Sequence, residues 1–360
     1  MSTTDKAAVQ VNELNQPVKG VSLWQDAWRR LKKNKMAMGG MFLIIFYIVV
    51  SMSAPLLPIY SYKQQVLEHQ YFPPSNRTAG EIMYERKADL TNRLAEKEGR
   101  ELSQVEIDIL ADLKTRIETE TRVLLSGEEV LVHNRVYRWG TDSLGRDLLS
   151  RIIYGGQVSI LIGLIGAITS VLIGVILGAL SGYIGGSFDA FMMRFVDIMY
   201  SLPYMLLVII FMAIFGKSMS NLFFALAIVS WLTVCRVVRG QIISLKNSEF
   251  VEAAKAAGAG TWRIVFKHLV PNTAGVIVIY TTLRVPSFIM LEAFLSYLGL
   301  GVQAPFTSWG VLIQDGVTAM VTYPWLLWFP AVAMSFFMFS MNFFGDGLRD
   351  ALDPQSKNKM

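Results

Sequence analysis

The chain has one cysteine, Cys235, and three histidines, His69, His133 and His268, among 360 residues. A lone thiol closes no internal disulfide, and histidines so far apart in sequence form no metal-ligand motif, so the spacing predicts neither redox nor metal chemistry. Charge is also scarce. Only 17% of the residues are charged against 53% hydrophobic, a balance that belongs to integral membrane proteins rather than soluble domains. A phosphate-cradling loop needs a glycine five residues ahead of Gly-Lys-Ser/Thr. The tripeptide Gly216-Lys217-Ser218 has Phe211 at that place, and no GxSxG, HExxH or CxxC motif occurs. No catalytic residue is therefore expected, and uphill transport would draw its energy from another chain or from an ion gradient. The net charge of +5 sits in basic residues beside apolar runs, which reads as membrane topology and not as nucleic-acid binding.

What is present is hydrophobic length. Six stretches reach the roughly 20 residues that cross a bilayer: about 36–59, 157–181, 189–214, 221–240, 274–297 and 324–344. The first begins behind a basic stretch and is too long for the apolar part of a secretory leader, so an uncleaved span is expected. Seven Lys and Arg precede it, six lie between Arg236 and Lys267, and three follow Gly345. The intervening short loops carry almost none, which puts both termini on the cytoplasmic side.

Within the second span Gly166, Ser170, Gly174, Gly178 and Gly182 recur every four residues, a seam that lets a second helix backbone approach. Pro203, Pro286 and Pro330 are expected to bend spans three, five and six. Arg284 and Glu292 are charges inside span five, eight residues and so about 12 Å apart along the axis. Buried charge is costly in lipid, which makes both candidate pathway residues. For Glu292 a wetted position near the outer interface is the other reading.

Composition changes abruptly between spans one and two. Residues 60–138 carry 12 basic and 14 acidic side chains, so a soluble insert on the outer side is expected. Ser103 and Glu106 form a capping-box pattern ahead of Leu110, Leu113, Ile117 and Leu124, with Gly127 beyond. An earlier stripe of Met83, Leu90 and Leu94 ends near Gly99, and the pair predicts an antiparallel helical hairpin. It is either a solvated face or a contact for an extracytoplasmic partner.

Between spans four and five runs EFVEAAKAAGAGTWRIVFKHLVPN, Glu249 to Asn272. Ser248 is placed to cap a helix whose first turn holds Glu249 and Glu252. Ala253, Ala254, Ala256 and Ala257 make that helix thin, and Gly258 and Gly260 allow a sharp turn. Thr261 then caps a second helix with Trp262, Val265, Phe266, Leu269 and Val270 on one stripe, which Pro271 ends. Lying on lipid would explain the second helix, but the alanine-glycine half has little to bury there.

The spacing Glu252-Ala253-Ala254, Gly258, Ile264, Pro271 resembles the EAA motif of ABC-importer permeases. GTDSLGRDLLSR, Gly140 to Arg151, resembles the signature of the C-type subunit of the oligopeptide, dipeptide and nickel permeases, and LEAFLSYLGLG, Leu291 to Gly301, is similar to another segment of that family. The resemblance covers about residues 22–58 and 138–355 and implies an all-α integral membrane protein with the six-helix fold of a type I ABC importer.

On that resemblance the chain divides into a cytoplasmic segment 1–35, a first helix 36–59, the mainly helical outer insert 60–138, a permease core 139–345 with a coupling loop 241–273, and a cytoplasmic tail 346–360. The implied partners are a homologous second permease, two ATPases that bind ATP and Mg, an external substrate-binding protein and the lipid of a bacterial inner membrane. Glu252, Ala253, Ala254, Gly258, Ile264 and Pro271 would contact an ATPase. Gly140, Thr141, Asp142, Gly145, Arg146, Asp147 and Arg151 would belong to the outer gate, or else to an interfacial helix whose charges pair locally. The expected cargo is a peptide. A nickel chelate or another small solute is the alternative, and a receptor or scaffold using the outer insert is the alternative of another class. An ion-driven carrier would call for internal repeats and more buried acids.

Overall fold

The computed structural model describes residues 23–123 and 129–352. Helix α1, Leu23–Lys33, and helix α2, Lys35–Met52, meet at Asn34, whose side chain accepts from the Ala37 amide and starts α2. The first span stops at Met52, short of 59, because a 3₁₀ turn at Ala54–Leu56 with Pro55 in its first turn takes over. The segment expected only to be cytoplasmic and basic thus contains a helix, whose Ala27 and Leu31 pack on Ala351 and Leu352 at the far end of the chain.

The stretch between spans one and two contains α3, Ala79–Lys97, and α4, Gln104–Thr119. Both begin with full capping boxes, Thr78 with Glu81 and Ser103 with Glu106. The helices meet where Gly80 faces Ile117: a Cβ added at Gly80 would lie 2.6 Å from the Ile117 side chain. The inward face of α3 is Ile82, Thr91 and Ala95, while Leu90 and Leu94 face outward. Of the expected stripe Met83 packs against the buried cluster around Phe72, but the two leucines are turned away, because at a helical step the small Thr91 and Ala95 admit a neighbour and the leucines do not. Helix α4 stops at Thr119, and a two-stranded antiparallel ribbon follows, β1 Thr121–Val123 with β2 Glu129–Leu131. Leu124 and Gly127 lie outside the described residues.

The second span is the long helix α5, Leu148–Ile184. It starts nine residues before 157 because Asp147 caps it, accepting from the Ser150 amide at 2.8 Å. The third span is a bent pair, α6 Gly186–Ser201 and α7 Tyr204–Phe215, which meet at 81° with Pro203 at the break. Helix α8, Met219–Leu245, is the fourth span and overruns 240 by five residues. Helix α10, Ala274–Tyr297, coincides with the fifth and contains Pro286 without a break. Between α10 and the last span lies a short helix, α11 Trp309–Ala319, and the last span is α12, Trp325–Leu352, which contains Pro330 and absorbs the start of the predicted tail. Among the described residues five helices are long and apolar enough to cross a membrane, six with the bent pair counted as one.

The small-residue seam of α5 is buried along its whole length. Gly166 faces the Phe288 ring of α10, and Ser170 donates to the Ser230 carbonyl of α8 at 2.8 Å. A Cβ added at Gly178 would sit 2.4 Å from the Cys235 carbonyl oxygen, and one at Gly182 2.8 Å from that of Arg239. Helices α5 and α8 therefore pack backbone against backbone, which only a row without side chains allows.

Candidate functional site

Helix α9, Glu249–Ala256, follows α8 after a short turn. Ser248 stands at its N-cap, but its hydroxyl donates to the Leu245 carbonyl at 2.5 Å and not to the helix's own amides. Val251 is buried, Glu252 and Ala253 are exposed and Ala254 is half-buried. Gly258 has φ 78°, the left-handed geometry the sharp turn needs, and a Cβ added there would meet nothing within 4 Å.

The second helix begins at Thr261 with Gly260, not Thr261, at the cap. After Thr261–Arg263 it passes into a π-helical stretch, Ile264–Leu269, where the Val270 amide donates to the Val265 carbonyl, and ends as Val270–Asn272. The wider turn shifts the inward face: Ile264, Val265 and Leu269 are buried against α5 and α8, while Trp262 is 65% exposed. Pro271 does not end the helix; it lies inside the run, and the break comes at Thr273. Of the six motif residues, Glu252, Ala253, Gly258 and Pro271 are on the surface and Ala254 is at its edge, whereas Ile264 anchors the element from within.

The Gly140–Arg151 signature is brought together into one buried network. Asp142 accepts from the amides of Leu144 and Arg146 at 2.9 and 3.0 Å, from the Arg146 guanidinium at 2.7 Å and from Arg151 at 2.5 Å. Arg151, 3% exposed, also reaches Asp315 on α11 at 3.3 Å and Thr307 at 3.4 Å. Thr141 accepts from the Phe72 amide at 2.8 Å and donates to the His69 carbonyl. Gly145, with φ 68°, lets the loop pass against Val66, whose carbonyl oxygen would be 1.8 Å from an added Cβ. Gly140 is packed on Phe72 in the same manner. Charges do pair locally here and fasten α5 to α11, while the Thr141 hydrogen bonds fasten the 60–138 segment to the same loop.

Two of the three histidines, far apart in sequence, are neighbours in space. His69 and His133 are 2.9 Å apart, His69 is 2.9 Å from the Tyr137 hydroxyl, and His133 is 3.0 Å from Glu120. Burial first, then the nearby His133 and Arg135, push His69 down to about 3. The hydrogen bond from His133 and then that from Arg122 hold Glu120 at about 2. Glu68, Glu120 and His133 each offer a ligand atom within 4.8 Å of the others. The Arg116 guanidinium pairs with both carboxylates, so a cation is already supplied by the chain.

Inside the span region a cavity of about 470 Å³ is lined by α6 to α8 and α10. Arg284 is on its wall with Tyr200, Tyr204, Ser230 and Thr233. Glu292 is not on that wall and is not wet. It is fully buried, accepting from Ser296 and from Ser308, the cap of α11, at 2.6 Å each. Two further charged pairs, Arg239 with Asp189 at 2.5 Å and Arg236 with Asp197, fasten α8 to α6. A count of basic residues reads those arginines as topology alone; Asp189 and Asp197 in a mostly apolar span are the sequence signal for the pairs.

Residues 174–358 match the profile of the binding-protein-dependent transport system inner membrane component, and residues 22–74 that of the N-terminal TM domain of oligopeptide transport permease C. The chain belongs to this family of transport permeases. It is 39% identical over 93% of its length, and 87% of the relative's, to the dipeptide transport system permease protein DppC of Bacillus subtilis (strain 168). Against the oligopeptide transport system permease protein OppC of Escherichia coli (strain K12) it is 38% identical over 94% of each chain, and against that of Haemophilus influenzae 37% over 98% and 94%. The permease is thus a multi-pass membrane protein of a transport complex, without an ATP-binding motif of its own.

Proposed function

We propose that this permease is one of two membrane subunits of a peptide importer, with ATP and Mg bound by two partner ATPases and cargo delivered by an external binding protein. The observation that carries the mechanism is the surface around Gly258: a thin, exposed alanine-glycine bend on a buried footing of Val251, Ile264, Val265 and Leu269. A cleft that closes on such a bend moves the footing, and with it α5 and α8, as one body. Peptide cargo follows from what the relatives are named to transport.

On this reading both termini and the bend face the cytoplasm, and residues 60–138 lie outside, where the binding protein docks. The Asp142–Arg151–Asp315 network then belongs to the closed outer gate. When it is held, cargo has no exit on that side.

The test is co-purification of the tagged chain from native membranes in mild detergent, wild type against Gly258→Trp. The space at Gly258 is open, so the indole disturbs docking far more than the chain itself. ATPase subunits are expected with the wild type and lost from the variant, whose thermal stability falls by no more than the local strain of a left-handed residue, about 1–2 kcal/mol. A stable wild-type complex without an ATPase would overturn the importer in favour of a scaffold.

A further inference from the structure

Arg284 sits ten residues into the 24-residue helix α10, about 15 Å from its cytoplasmic start at 1.5 Å per residue. That is mid-membrane depth, where transporters hold their cargo. Among the described residues no carboxylate pairs with it, and its ionisable neighbours are Tyr200, Tyr204 and Tyr280. Three other arginines of the bundle differ: Arg239 has Asp189, Arg236 has Asp197 and Arg151 has Asp142, while Arg194 of α6 is exposed. The cavity lining contains no acid. It does contain neutral hydrogen-bonding groups, with the Tyr200 hydroxyl 2.6 Å from that of Thr233, and the buried Ser230 hydroxyl has no partner.

An unpaired guanidinium at that depth is costly unless an anion meets it for part of the cycle. We infer that Arg284 is the subsite that receives the carboxylate of the cargo in transit, which for a peptide is its C-terminus. The assignment rests on the importer function proposed above and adds to it what the cavity recognises. A guanidinium binds a carboxylate through two parallel hydrogen bonds. Every peptide with a free C-terminus presents that group whatever its sequence, so one arginine serves many cargoes. The cavity, at about 470 Å³, is within the ordinary range for a small-ligand site and receives the end of a peptide rather than a long one entire.

The experiment uses the complex co-purified from native membranes and reconstituted in proteoliposomes. ATP-driven uptake of Ala-Ala-Ala and of its C-terminal amide is measured for wild type, Arg284→Gln and Arg284→Lys. A tripeptide ending in photoreactive benzoylphenylalanine reports occupancy of the cavity by cross-linking. Arg284→Gln should lower Ala-Ala-Ala uptake about tenfold or more, the usual scale for a lost charge-assisted hydrogen bond. The preference for the free acid over the amide should shrink and the cross-link fade, while ATP hydrolysis stimulated by the binding protein persists. Arg284→Lys should recover part of each and decides the matter if the glutamine variant fails to assemble.

Unchanged uptake and preference in Arg284→Gln overturn the inference and leave the importer standing. So does a loss of assembly in both variants, which would show that Arg284 pairs with an acid of the second permease. No ATP-driven uptake of either peptide by the wild type removes the importer and the inference together.

Discussion

Gly178 and Gly258 are the same residue type with opposite surroundings. At Gly178 a methyl group would meet the Cys235 backbone at 2.4 Å, and at Gly258 it would meet open space. Gly178→Ala is therefore expected to force α5 from α8 at a cost of about 1–3 kcal/mol, read as a lower melting temperature of the detergent-solubilised chain. Gly258→Ala carries only the local strain of a left-handed residue, about 1–2 kcal/mol, which a surface bend can relax. An equal loss of melting temperature in both would contradict this contrast. At His69 the residue scale gives a pH dependence. Its ordinary value of 6.5 falls to about 3 in the folded chain, so below pH 6.5 the unfolded state binds the extra proton. Stability is full above pH 6.5 and declines as pH falls toward 3, by on the order of 1 kcal/mol per unit. The protection factors of amides around residues 66–72, which divide out the intrinsic slowing of exchange in acid, should fall from pH 6.5 to 4.5, and His69→Gln should flatten that slope. An unaltered slope would mean the lability lies elsewhere.

Elements come together through single side chains, and Glu292 is the plainest case. It joins α10 to the cap of α11 by accepting from Ser296 and Ser308. Glu292→Gln keeps an acceptor oxygen and should leave stability within about 1 kcal/mol, whereas Glu292→Leu orphans Ser308 at a cost of about 1–3 kcal/mol. Limited proteolysis of the 298–308 loop would show the difference, and equal damage from both substitutions would mean that the charge itself is needed. Span five was legible to the residue because its apolar run and its helix end at the same places. Span two was not, since Asp147 caps a helix that starts amid polar residues. Helices α1 and α11, at 11 residues each, are too short for a span search to register. The motif residues themselves were readable from spacing, but the π-helical stretch was not. One residue of extra winding turned Trp262 outward and Ile264 inward, and nothing in an i, i+3, i+4 pattern announces it. Likewise His69 and His133, 64 residues apart, meet only through the long-range folding of the 60–138 segment.

For the whole molecule the proposed cycle needs the cavity to face one side at a time. The Arg151 network ties α5 to α11 and to the segment before it, and on the proposed topology that contact holds the cavity shut at its outer end. The bend at Gly258 stands on residues packed with α5 and α8, and on the proposed function their close backbone contact transmits displacement and does not absorb it. The chain's single cysteine is buried, so a Cys235→Ala background is free of thiols and Ser287→Cys places one on the cavity wall. A membrane-impermeant maleimide should label that thiol from the cytoplasmic side in the nucleotide-free complex. Trapping the ATPases with bound ATP should move labelling to the outer side, and Arg151→Ala should admit the outer reagent without nucleotide. If labelling is indifferent to nucleotide in the assembled complex, the cavity does not alternate and the path of the cargo runs elsewhere in the bundle.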